Sequence, residues 1–90
     1  MKTLKPLRKA LKQTQTDIIK QELRYAIINK RAELDIPQTK MAELLGISPR
    51  SYVDIEHGIS IPRTQTLIKF MCLFKDDAMR LIDKIIFKLN

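Results

Sequence analysis

Gln38-Thr39-Lys40-Met41-Ala42-Glu43-Leu44-Leu45-Gly46-Ile47-Ser48-Pro49-Arg50-Ser51-Tyr52-Val53-Asp54-Ile55-Glu56 reads as two short helices around a tight turn. Met41, Ala42 and Leu45 recur at helical spacing, so residues 38–45 present one apolar side. Gly46 follows, where a glycine takes the left-handed angles that end a helix. Ser48 is a good N-cap and Pro49 suits the first helical position, so a second helix starts at once and runs to about Glu56, before Gly58. Ile47, Tyr52 and Ile55 fall on its inner face. Pro49, Arg50, Val53 and Asp54 are left on the outer one.

Upstream, Ile19, Leu23, Ala26, Ile27 and Leu34 keep a 3.6-residue period, which predicts a helix over residues 17–34. Thr14 and Thr16 offer caps and Asp17 an early acid. Pro37 stops the helix. Residues 1–16 read either as a disordered basic arm or as a short amphipathic helix opened by Pro6, with Leu4, Leu7 and Leu11 on one face. Downstream, residues 59–62 form a loop. Residues 64–74 form a fourth helix, with Leu67, Phe70, Met71 and Phe74 inward and Cys72 a small core residue. Asp76 or Asp77 opens a fifth, on which Ala78, Leu81, Ile82, Ile85, Ile86 and Leu89 make a broad stripe. The divisions expected are thus an arm over 1–16, a helix-turn-helix domain over 17–74 and a C-terminal helix over 75–90 that serves dimerisation.

Composition agrees with an all-α chain. Ninety residues make one domain, and two glycines and four prolines leave little room for the turns of a β-sandwich. One cysteine and one histidine allow neither an internal disulfide nor a zinc site, and no cofactor motif is present. The longest apolar run, residues 70–74, is far too short to cross a membrane, so a cytoplasmic protein is expected. The net charge is +7. Residues 1–31 hold nine Lys/Arg against two acids, whereas residues 32–90 hold eight of each. All of the excess basicity therefore lies in the N-terminal third, where it either meets an anionic partner or only solvates the chain.

Gln38, Ala42, Gly46, Ile47 and Ser48, followed by Ile55-Glu56-His57-Gly58, Pro62 and Leu67, resemble the Cro/phage-repressor (XRE-type) helix-turn-helix family over about half the chain. The resemblance implies a five-helix, lambda-repressor-like domain whose third helix lies in the major groove of double-stranded DNA. It implies DNA contacts from Gln38, Thr39, Pro49, Arg50, Val53, Asp54, His57, Ser60 and Arg63, and a partly buried ion pair between Arg31 and Glu56. Arg50 is the base reader, since its guanidinium can chelate guanine O6 and N7. Asp54 either accepts from cytosine N4 or pairs within the helix to orient Arg50. Gln38 opens the second helix, where free N–H groups attract phosphate. His57 is expected to be a neutral polar residue near the DNA backbone.

Two departures cost local stability. Pro37 stands where the family usually has a capping side chain, and Asp35 where glycine is common. Charge is a third, because residues 32–63 carry three basic against five acidic residues, a net −2. Since phosphate neutralisation supplies most non-specific affinity, a basic arm or a second subunit must help. The function expected is a sequence-specific DNA-binding regulator without enzymatic activity. It is either a homodimeric repressor or an antitoxin that represses its own genes and also holds a toxin. The alternative is an interaction module that docks an acidic protein.

Overall fold

A computed structural model describes the backbone of residues 4–90 and the side chains of residues 14–90. Five helices follow in order: α1 (Leu4–Leu34), α2 (Gln38–Leu45), α3 (Pro49–Glu56), α4 (Thr64–Leu73) and α5 (Lys75–Leu89). No strand occurs among the described residues, so the all-α, five-helix class expected from the sequence is the class of the chain. The helix start expected at residues 14–17 is absent; α1 runs unbroken through it. Pro6 lies in the first turn of α1, where a missing N–H removes no helical bond, and nothing in Thr14–Asp17 is strong enough to stop a helix already under way. Lys2 and the side chains of Leu4, Leu7 and Leu11 lie outside the described residues.

The chain leaves α1 through Asp35, whose φ of 53° is left-handed and positive. The Asp35 N–H closes the helix on Ala32 O at 3.1 Å. An aspartate tolerates this conformation better than most side chains do, and a glycine would adopt it without strain. Pro37 then caps α2 through its carbonyl alone, which accepts from the N–H groups of Lys40 and Met41. Gly46 (φ 73°) closes α2, with its N–H on Glu43 O at 3.1 Å. Ser48 Oγ accepts from Ser51 N at 3.1 Å and opens α3 with Pro49 just inside.

The core consists of Ile27 from α1, Met41, Ala42 and Leu45 from α2, Tyr52 and Ile55 from α3, and Phe70 from α4. Ala42 has no Cβ substituent, which lets α2 and α3 approach closely, and it is fully buried. Phe70 sets the rotation of α4. It is buried together with Thr66, one turn earlier, and this turns Met71 and Cys72 outward, against the inward placement that hydrophobic pattern suggests. The exposure of Cys72 follows from the same rotation.

Helix α5 lies antiparallel to α1. Lys30 Nζ is 3.0 Å from Asp77 near the start of α5, and Lys88 near its end pairs with Glu22. Glu22 is buried, a polar core position that the periodicity of α1 does not mark. Ala78 and Leu81 bury against this surface, whereas Ile82 and Ile86, expected within one broad buried stripe, are exposed. Together with Met79 they form a separate stripe at i, i+3, i+7 that no described residue covers.

Candidate nucleic-acid interface

Glu56, the last residue of α3, is 7% exposed and negatively charged, so it must find partners. Its carboxylate accepts from Arg31 Nε at 2.5 Å and Arg31 Nη2 at 3.1 Å, from Gln38 Nε2 at 2.9 Å, and from the Tyr52 hydroxyl. Arg31 also donates through Nη1 to Ile36 O at 3.1 Å. Arg24 Nε donates to the main-chain carbonyl of Glu56 at 2.6 Å, a cation placed on the negative end of α3. Burial pushes the Glu56 carboxyl up, but the donors from Arg31, Tyr52 and Gln38 outweigh it and hold the group below the usual carboxylate range. The Tyr52 phenol is pushed up by burial and by its bond to Glu56, so it stays protonated and donates.

This cluster fixes how α3 is rotated. With Tyr52, Ile55 and Glu56 inward, Pro49, Arg50 and Ser51 are exposed and Val53 and Asp54 half-exposed. The Arg50 side chain is 88% exposed, with Nε 3.7 Å from Asp54 Oδ1 one turn on. That separation is too long for a hydrogen bond and is an exposed ion pair, which orients the guanidinium at little energetic gain. Helix α5 packs mainly on α1 and α4 and leaves this face uncovered.

The other residues singled out from the sequence surround that face. Thr39 is exposed at the start of α2, and Gln38 is half-buried there, with one amide hydrogen used on Glu56 and a second to spare. His57, Ser60 and Arg63 are exposed in and beside the α3–α4 loop. A groove of about 670 Å³ lies between the Gly46–Ser48 turn, α3 and the start of α4, bordered by Ser48, Ser51, Asp54, Ser60, Arg63 and Lys69.

Residues 27–75, more than half the chain, match the helix-turn-helix family. The chain belongs to the Cro/phage-repressor (XRE-type) helix-turn-helix family. The match begins on α1 just ahead of Arg31 and ends at the first residue of α5, so it spans the Glu56 cluster and the whole reading unit. No curated protein and no solved structure matches the chain. The family is one of DNA-binding regulators. No helix among the described residues is long and apolar enough to cross a membrane. Two features of this helix-turn-helix domain are not legible in the sequence reading, the Arg24 cap and the Tyr52 donor. Spacing marks Tyr52 only as an apolar inner residue, although its i, i+4 relation to Glu56 is a signal that could have found the bond.

The cluster makes a pH prediction. A carboxyl whose pKa is depressed by folding stabilises the native state above its unfolded pKa, and that stabilisation is lost as pH falls through the folded value. Replacing Glu56 by Gln leaves Arg31 uncompensated and should cost roughly 3 kcal/mol at neutral pH, the low end for a broken buried pair because part of Arg31 meets water. In urea unfolding followed by circular dichroism, the gap between wild type and E56Q should narrow as pH drops below about 4.3, the ordinary Glu value. A gap that is negligible at pH 7, or that widens in acid, contradicts the assignment.

Proposed function

We propose that the protein is a sequence-specific transcriptional repressor that binds double-stranded DNA as a homodimer. The observation that carries this reading is the outward, uncovered face of α3 with Arg50 at its centre. In B-DNA the major groove admits one α-helix, and an arginine there can give two parallel hydrogen bonds to guanine O6 and N7. Asp54 acts on Arg50 as a positioning residue. It does not read bases itself, since phosphates repel it. Pro49 and Val53 offer apolar contact to a thymine methyl group. Gln38, Thr39, His57, Ser60 and Arg63 contact the sugar–phosphate backbone and set the register. Repression is steric, through occupation of an operator, and takes place in the cytoplasm. An autoregulating antitoxin would use the same DNA contact and differ by also holding a toxin.

Dimerisation is supported by the stripe of Met79, Ile82 and Ile86 on α5, continued by exposed Ile68 and Leu73 on α4. Apolar surface gathered on one side of a small domain favours burial against a second copy. Two copies double the DNA contacts over half-sites one helical turn apart. The net charge of −2 over residues 32–63 supports a second reading, an interaction module that uses its basic N-terminal third on an acidic protein.

The reader is tested by selection from a random duplex pool. The wild type should enrich a motif containing guanine, and Arg50→Ala should lose roughly 1–3 kcal/mol on that motif with relaxed preference at one base pair. Unchanged preference in R50A removes Arg50 as reader, and failure to retain any duplex at low salt favours the interaction module. For the dimer, sedimentation should give a two-chain mass for wild type and a one-chain mass for Ile86→Asp. A one-chain wild type at the concentrations that bind DNA contradicts the dimer.

A further inference from the structure

The reading unit is negatively charged, whereas DNA demands cations, and the excess basicity of the chain lies on α1. Geometry connects the two. Arg24 Nε is committed to the Glu56 carbonyl at 2.6 Å, so α1 is fastened to the C-terminal end of α3. The Arg24 side chain runs alongside Gly58, close enough that a Cβ built there would meet Arg24 Cδ and Nε at 3.8 Å. Lys20 lies one turn earlier on the same face and is exposed. Between α1 and the α3–α4 loop is a cavity of about 410 Å³ with Lys20, Arg24, Gly58 and Ser60 on its rim and Ile61 and Pro62 in its wall. Asp17 also borders it and lowers its positive charge. The cavity shares Ile55, Ser60 and Ile61 with the groove beside α3, so the two depressions are neighbours around the end of that helix.

We propose that Lys20 and Arg24 of α1 form, with the Gly58–Ser60 loop, a clamp for a DNA backbone phosphate next to the base-reading helix. This inference rests on the DNA-binding reading of α3 and adds a site that the helix-turn-helix unit does not itself contain. Arg24 spends its Nε on the protein, and its two terminal nitrogens remain to face the cavity. A guanidinium held in this way is already oriented and loses little freedom on meeting a phosphate. Ser60 supplies a hydroxyl donor, and Lys20 a point charge on a flexible stem. Adding these two cations brings the net charge of the reading unit from −2 to zero. Because α1 is continuous from Leu4, Lys20 and Arg24 are carried on a helix and not on a free arm, and their approach to phosphate is set by the docking of α1 onto α3.

The test is the salt dependence of binding by the full chain to a selected duplex of about 25 base pairs, long enough for two half-sites, and to a random duplex of equal length. Removing one cation from a phosphate should reduce the slope of log K against log salt by about 0.9. Lys20→Gln should lower the slope by one such step and the Lys20→Gln/Arg24→Gln pair by two, on both duplexes, with the selected motif unchanged. Arg24→Lys should restore part of the effect, and thermal unfolding identifies any weakening that comes from misfolding. Lys84→Gln, on α5, should leave the slope alone. Slopes equal to wild type in folded K20Q and in the pair overturn the clamp, even where R50A still abolishes preference and the reader stands. Lowered slopes on random duplex, in a wild type that selects no motif, uphold the clamp and discard the reader. Absence of binding to either duplex at low salt overturns both.

Discussion

The carboxylate of Glu56 is where three helices are held to one geometry. Arg31 and Arg24 reach it or its carbonyl from α1, Gln38 from the start of α2, and Tyr52 from within α3. A buried charge pair contributes little net stability, because taking both ions out of water costs about as much as their attraction returns. Breaking one half is expensive all the same. The cluster therefore acts as a key for orientation, since any rotation or slip of α3 leaves a charge or a donor stranded. With Glu56 locked inward, helical periodicity sends Arg50 outward, and the DNA-facing surface follows from an interaction on the opposite side of the helix.

How much of this is legible in the sequence depends on the range of the interactions. The turn is readable because its signals are local: Gly46 takes a φ few other residues accept, and Ser48-Pro49 starts a helix wherever it occurs. The division of α3 into inner and outer residues follows from spacing alone. The partnership of Arg31 with Glu56 spans 25 positions and comes only through family resemblance. Long-range features without such a guide escape. Lys88 pairs with Glu22 across 66 positions, and nothing in either neighbourhood marks it. The outward turn of Met71 and Cys72 depends on Phe70 winning the core position on α4, a competition between apolar neighbours that hydrophobic pattern cannot decide. The continuity of α1 is hidden by capping residues at Thr14 and Thr16, which can start a helix but do not stop one.

The charge distribution separates two tasks within one small domain. Base reading is assigned to an acidic unit whose exposed guanidinium is held by Asp54, and phosphate attraction to the basic helix that precedes it. A weakly charged reader suppresses binding to arbitrary sequence, and the basic helix supplies affinity that is independent of sequence. The two parts are coupled mechanically because Arg24 fastens the basic helix to the end of the reader.

The central claim is that the outer face of α3 lies in the major groove, and chemical protection of the bases tests it directly. Dimethyl sulfate methylates guanine N7 in the major groove and adenine N3 in the minor groove. With wild-type protein bound to its selected duplex, the account predicts protection of guanine N7 within each half-site, and disappearance of that protection in R50A at saturating protein. Protection confined to adenine N3, or guanine N7 left fully reactive in a duplex shown to be occupied, would contradict it.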